Sequence, residues 1–331
     1  MLAYIIRRIL IMIPTLAVIS VISFAVIDLP PGDFLTSYIV QLESQGARVT
    51  EEQVESLKRR YALDQPLPMR YVNWIYRIIR FQDFGQSWNW NRPVAGLLAE
   101  RMPFTVAISL ATLFLTYVVA IPVGIFSAVR QYSWADYVFT TLGFLGLAIP
   151  NFLLALVLMF IFYRYFGVSI GGLFSPEFRD APWSLARAWD MLNHLWVPMI
   201  VIGTAGTAGL IRTMRAVMLD ELSKDYVQTA RAKGLSEFVV IVKHASRVAV
   251  NPIISVVGWT LPLIISGEAI VAIVLNLPTT GPLLLQALLT QDMYLAGSFI
   301  FLLSSLTVIG TLLSDILLAW IDPRIRYDKE V

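Results

Sequence analysis

The sequence predicts an all-α polytopic membrane protein with six transmembrane helices and a large extracytoplasmic segment after the first. Three observations carry that prediction. Of 331 residues, 57% are hydrophobic and only 15% are charged, and the mean hydropathy is strongly positive. Mostly apolar runs of the length needed to cross a bilayer, about 20 residues, occur six times. The positive charges gather in alternate connections between those runs, as the positive-inside rule requires. Length alone would suit about two soluble domains, but the apolar runs override it. The chain has no cysteine, so it has neither a disulfide framework nor a thiol metal site. Its basic residues adjoin lipid-length spans, which excludes a nucleic-acid reading.

The first element is an apolar run from Ile9 to Ile27 behind Arg7 and Arg8. A cleaved signal peptide starts in the same way, but the run has spanning length and no small-residue cleavage site follows it, so residues 1–28 read as a retained helix. Residues 29–103 then leave the membrane, with nine Lys/Arg balanced by nine Asp/Glu over Asp28–Pro103. Segments this long are translocated largely regardless of charge. Thr50 and Gln53 form a capping box ahead of Val54, Leu57 and Tyr61. Pro68 opens a second helix in which Tyr71, Trp74, Ile75 and Ile78 share a face, apart from Arg70, Arg77 and Arg80; such a helix suits the membrane interface, aromatic side down. Pro93 opens a third helix leading toward the next span. Trp88 and Trp90 fit an interfacial aromatic belt or a substrate pocket.

Residues 104–331 form the core that holds the remaining five spans. Span two is Phe104 to Val129, with a kink expected at Pro122 and Gly124. A short RQYSWAD connection leads to span three, Tyr137 to Tyr163, interrupted at Pro150 and Asn151. Arg164 to His194 lies outside, with an amphipathic helix over 182–193. Span four is Leu195 to Ile211, and a basic loop, 212–251, follows. Span five runs from near Pro252 to Leu275 and contains Glu268. Leu275 to Asp292 is an outside or re-entrant connection without positive charge, and span six, Ala296 to Ile321, carries Asp315. On this topology thirteen Lys/Arg are cytoplasmic and three lie in the short outside loops, which puts both termini in the cytoplasm.

Enzyme motifs are missing. The chain has no phosphate-cradling G-x-x-x-x-G-K-[ST], no G-x-S-x-G and no H-E-x-x-H, and the topology puts its two histidines, His194 and His244, on opposite sides of the membrane. No cofactor or metal site in the chain follows from the sequence. Glu268 and Asp315 are costly in lipid and must face a helix interface or a wet cavity. Their readings are pathway or interhelix polar residues on the one hand and a proton relay on the other.

The basic loop holds seven Lys or Arg between Arg212 and Arg247. Its middle reads as a short helix, Lys224 to Lys233, closed by Gly234. A loop that only sets topology has no need of the interleaved Tyr226, Val227, Leu235, Phe238 and Val239; apolar residues at a cytoplasmic surface point to a protein interface.

Gln228-Thr229-Ala230-Arg231-Ala232-Lys233-Gly234 resembles the E-A-A-x-x-x-G motif of bacterial ABC-importer permeases, with Gln in place of Glu and Thr in place of the first Ala. YVQTARAKGLSE followed by KHASRVAVNP is similar to the dipeptide/oligopeptide/nickel branch of that family. So are the N-terminal RRIL…PTL, LPPGD at 29–33, YALDQPLPMRY, FQDFGQSW and the terminal DPRIRY. His244 to Arg247 departs from the general family's I-x-L-P ending.

The resemblance implies a type I importer permease fold and a transport subunit that is not itself an enzyme. Tyr226, Val227, Gln228, Thr229, Ala230, Arg231, Ala232, Lys233, Gly234 and Leu235 would then be the ATPase-coupling segment. Arg231 and Lys233 would meet acidic or polar groups on the ATPase. The implied partners are a homologous second permease, two cytoplasmic ATPase subunits that bind ATP and Mg, an extracytoplasmic binding protein, and membrane lipid. The implied location is a bacterial or archaeal inner membrane. The implied cargo is oligopeptide or dipeptide, with oligosaccharide or nickel as alternatives. An ion-coupled secondary transporter is a different reading; it expects inverted repeats, which the two halves do not display. A membrane scaffold leaves the proline-interrupted spans unexplained.

Overall fold

The computed structural model describes residues 2–28, 55 and 65–321. The capping box at Thr50 and the terminal DPRIRY lie outside them. The described residues are helical apart from one short hairpin, β1 (Gln86–Ser87) paired antiparallel with β2 (Arg92–Pro93). The helices are α1 (Leu2–Asp28), α2 (Leu67–Phe81), α3 (Val94–Val129), α4 (Trp134–Ala148), α5 (Asn151–Ile161), α6 (Leu185–Leu222) and α7 (Asp225–Ala232). They continue as α8 (Glu237–Ser255), α9 (Val257–Val274), α10 (Thr280–Leu289) and α11 (Met293–Ile321). Among the described residues five helices are long and apolar enough to cross a membrane, or six when α4 and α5 count as one broken span.

Several elements run longer than their sequence patterns. The third extracytoplasmic helix and span two are one helix, the 36-residue α3. The amphipathic stretch at 182–193 and span four merge into the 38-residue α6. At 1.5 Å per residue α6 is about 57 Å long, well beyond the ~30 Å hydrocarbon core. The basic loop is itself helical for most of its length. α8 begins at Glu237 and runs through Lys243, His244 and Arg247 by way of a π-helical turn, Val240–Ala245. Charge in the sequence had marked that stretch as loop.

The chain divides into two compact units. The first comprises Met1–Ile9, Pro103–Pro282 and Thr307–Val331. Here α6 packs on α4, α5, α8 and α9. α4 and α5 meet at a bend of 104°, whose cause is local. Ile149 precedes a proline and takes the extended conformation such a residue prefers (φ −86°, ψ 121°), which ends α4, and Pro150 then caps α5. At the crossing of α9 and α11 the backbones touch: a Cβ on Gly258 would stand 2.6 Å from the Thr311 Cα, and one on Gly310 would stand 2.8 Å from the Gly258 carbonyl oxygen. Small residues at such crossings allow the close packing that joins helices in lipid.

The second unit comprises Leu10–Met102 and Leu283–Leu306. Its core sets Phe24 and Ile27 of α1 against Trp74, Tyr71, Ile75 and Ile78 of α2, with Met293, Tyr294 and Phe301. The Ser20 and Tyr71 hydroxyls hydrogen-bond at 2.7 Å. Asp292, 1% exposed, caps α11 by accepting from the Leu295 N–H, and it also accepts from the Ser87 hydroxyl and the Asn89 N–H. Burial pushes its carboxyl above the ordinary range, and these donors pull it the other way.

Replacing Gly258 with Val should destabilise the fold by about 3 kcal/mol or more, because the new side chain meets backbone rather than a movable side chain. Thermal unfolding of the purified chain in detergent measures this, and an unchanged midpoint would contradict the close crossing.

Candidate functional site: the coupling segment and a buried polar seam

The residues of α7 divide by exposure. Val227 (0% exposed) and Ala230 (6%) are buried in a cluster with Met214 and Met218 of α6 and Val240, Ala245, Ala249 and Ile253 of α8. Tyr226, Gln228, Thr229, Ala232, Lys233, Gly234 and Leu235 are exposed. The small Ala230 side chain lets α7 pack closely on the chain's own helices α6 and α8. Gly234 follows α7 at φ +77°, with open space where a Cβ would stand. The backbone conformation, rather than crowding, is what calls for glycine there.

Polar contacts hold this segment in shape. The Tyr226 hydroxyl donates to Glu221 at 2.5 Å. Burial first, then the bond to Glu221 and its charge, push the phenol's pKa up, so it stays protonated and remains the donor. Arg231 donates from both Nε and Nη2 to Glu237, at 3.1 and 2.7 Å. Its guanidinium is thus engaged within the chain, and of the two cations assigned to a partner Lys233 stands outward.

A second contact joins α6 to the first turn of α4. Asp136, 2% exposed, accepts from Nε and Nη2 of Arg215 at 3.0 and 2.9 Å and from the Tyr132 N–H at 3.0 Å. Ser133 caps α4 through the Asp136 N–H. The sequence reading missed this clamp. Asp136 read as part of a turn and Arg215 as one positive charge among seven, and no local pattern reveals a pairing across 79 positions.

Deeper in the same unit α3 presents a polar row. Thr105, Ser109, Thr112 and Thr116 are buried at helical spacing, one face of the helix. Thr105 bonds the Thr280 hydroxyl at 2.9 Å and accepts from the Thr280 N–H at 2.9 Å, which caps α10. Thr207 of α6 donates to Thr116 at 3.3 Å. Glu268 is fully buried and faces Thr279; its carboxylate oxygens and the Thr279 hydroxyl have no partner at hydrogen-bond geometry among the described residues. Asp315 has a different environment, an ion pair at 2.9 Å with Arg8 of α1. The two acidic residues grouped by the sequence are therefore unlike: one neutralised by an arginine, the other set in the hydroxyl-rich interior. No group of three or more metal-ligating side chains occurs among the described residues.

α7 is thus a short helix with an exposed polar face, packed through Val227 and Ala230 on α6 and α8. Residues 120–327 match the family described as binding-protein-dependent transport system inner membrane component, and residues 1–111 match its N-terminal region. The chain belongs to that family. It is thus a multi-pass inner-membrane permease component of an importer, and in this family ATP hydrolysis belongs to separate subunits. The chain is 36% identical over 331 residues to the oligopeptide transport system permease protein AppB of Bacillus subtilis, covering 99% of this chain and all of that one. It is 31% identical over 325 residues to a Sinorhizobium fredii protein named "Probable peptide ABC transporter permease protein y4tP", covering 98% and 99%. A solved structure of the MetNI methionine ABC transporter in inward-facing conformations matches 68% of this permease and 96% of that chain. Its TM-score of 0.54 at 14% identity supports a common fold.

Asp136→Ala should destabilise the permease by on the order of 3 kcal/mol, because it strands the Arg215 guanidinium. The double exchange Asp136→Arg with Arg215→Asp should recover part of that loss. Thermal unfolding of the two variants beside the unaltered permease provides the check; a double variant no better than the single one would remove the pairing as the cause.

Proposed function

We propose that this permease forms half of the translocation path of an ATP-driven importer of oligopeptides or dipeptides, and that Tyr226–Leu235 is the segment on which a cytoplasmic ATPase seats. One observation carries the coupling assignment: α7 projects an exposed polar face while Val227 and Ala230 fix it to α6 and α8. The peptide assignment is supported by the names of relatives aligned over nearly the whole chain. The partners on this reading are a homologous second permease, two ATPase subunits that bind ATP and Mg, and an extracytoplasmic binding protein. Both termini are cytoplasmic.

The permease transmits work and performs no covalent chemistry. Closure of two ATPases on ATP draws their docked segments together. Each α7 moves with α6 because they share a packed core, and the spans shift between two arrangements that differ in their contacts with the ATPases. Tyr226, Gln228, Lys233 and Leu235 supply the docking contacts, Val227 and Ala230 the anchorage, and Gly234 the turn.

Purification from the native membrane in mild detergent, with mass spectrometry of co-purifying proteins, tests the assembly. A second permease, P-loop ATPases and a binding protein that takes peptides are expected. A binding protein that takes only oligosaccharides or a metal would replace the cargo assignment, and transport by this chain alone would overturn the ATP-driven reading.

Gly234→Val should uncouple transport from ATP hydrolysis while leaving membrane insertion intact, since a β-branched residue at positive φ costs about 1–2 kcal/mol or more. Gly234→Asn should be tolerated. ATPase and uptake assays on reconstituted complexes distinguish them, and full coupling in the valine variant would remove the docking turn. Glu268→Gln should leave the pH profile of uptake unchanged; a displaced profile would instead favour proton coupling through that carboxyl.

A further inference from the structure

Outside the coupling segment, α2 has more surface chemistry than its packing uses. With 3.6 residues per turn its side chains fall into three sectors. Tyr71, Trp74, Ile75 and Ile78 pack on Phe24 and Ile27 of α1. Met69, Val72, Tyr76 and Ile79 form a second apolar row, left 54–79% exposed. Arg70, Asn73, Arg77 and Arg80 occupy the remaining sector. One face bound to a span and another open and apolar is the pattern of a helix lying in a membrane interface.

The arginine sector borders a groove of about 660 Å³, whose lining includes Arg70, Asn73, Arg77, Gln65, Gln82 and Gln86. Phe81, Pro93, Ala95 and Tyr294 complete much of its wall, its two cations are Arg70 and Arg77, and the Asn73 amide donates to Gln65 Oε1 at 2.8 Å. Asp83 is the one acid among its described lining residues, and that carboxylate accepts from the Gly85 N–H at 2.9 Å. Trp74, 4% exposed, also lines the groove, and its indole N–H has no acceptor among the described residues. Guanidinium, amide and indole donors in one recess call for an anion with several acceptor oxygens.

We propose that this groove holds the phosphodiester headgroup of an anionic membrane lipid, with Arg77 as its principal ligand and the open row of Met69, Val72, Tyr76 and Ile79 against the lipid's chains. The adjacency of the two sectors selects lipid over a protein partner. A phospholipid joins an anionic head to apolar chains in one molecule, and α2 presents the matching cationic and apolar rows side by side. An acidic protein surface would satisfy the arginines and leave the apolar row uncovered. Guanidinium suits the task because its planar fork engages phosphate oxygens in pairs.

The test uses the full chain purified into phosphatidylcholine nanodiscs with and without phosphatidylglycerol, followed by native mass spectrometry of retained lipid. The wild-type chain should keep phosphatidylglycerol in preference to phosphatidylcholine. Arg77→Gln should weaken that retention about tenfold, the loss expected for one charge-assisted contact, and Arg77→Lys should retain much of it. Arg77 is exposed, so both variants should fold, and unfolding in pure phosphatidylcholine should be unaltered. Soluble glycerol 3-phosphate should not compete. Equal retention of the two lipids, or undiminished retention by Arg77→Gln, would overturn the site. Competition by glycerol 3-phosphate would make it a free-phosphate site. Unchanged lipid binding together with lost attachment of a binding protein would assign the groove to a protein partner.

Discussion

An eight-residue helix is too short to persist alone in water, so α7 depends on the burial of Val227 and Ala230. Placed three apart, they fall on one side of the helix and enter the cluster built by Met214, Met218, Val240, Ala245, Ala249 and Ile253. Burying a valine side chain contributes roughly 1.5–3 kcal/mol, a large share of what holds so small an element. The same packing makes α6, α7 and the start of α8 one body. On the proposed reading, docking residues carried on this body move the spans when the docked partner moves, whereas a free loop would transmit no force.

Polar groups in the lipid-embedded part obey a complementary constraint, because no water is there to satisfy them. α3 turns its Thr and Ser residues inward; Thr116 meets Thr207 of α6 and Thr105 meets Thr280 at the start of α10. Asp315 meets Arg8. Pro150 breaks its span at the residue where the pre-proline rule forces Ile149 out of helix, and the break passes into a new N-terminus instead of an unsupported loop. Glu268, Ser109 and Thr112 are exceptions: they are buried, and their side-chain oxygens have no partner at hydrogen-bond geometry among the described residues.

Much of this was legible in the sequence. Hydropathy located the spans other than the fifth, which the sequence began near Pro252 although the apolar helix of spanning length there is Glu237–Ser255; the Lys224–Gly234 pattern located α7 and its glycine turn, and Pro150 located the break, because each signal is local. Helix ends were less legible. Charged residues such as Lys243 and Arg247 suggested a loop, yet a helix can leave the bilayer and continue in water. The Asp136–Arg215 clamp and the unlike settings of Glu268 and Asp315 are contacts between distant positions and leave no trace in local spacing. The dual character of α2 was only half visible: its aromatic face and its arginines were read, but the second apolar row appears only when the first is seen to be occupied by α1.

α6 links these features on the proposed reading. Near its start Asp190 accepts from the Ser175 N–H and hydroxyl at 2.8 and 2.6 Å. Near its end Arg215 grips Asp136, and ten residues further the chain enters α7. α6 runs 38 residues as one helix with Pro198 inside it, and on this reading it carries displacement from α7 toward its far end unless a neighbour yields. The neighbour built to yield is the α4–α5 pair. Asp136 ties the start of α4 to α6, so α4 must follow, while the bend at Pro150 lets α5 take a different course. Hinges lie where few residues absorb a large change in backbone angle, and Ile149–Pro150 is such a place. Work delivered at the coupling segment is therefore divided at that bend, between a half-span that moves with α6 and one that need not.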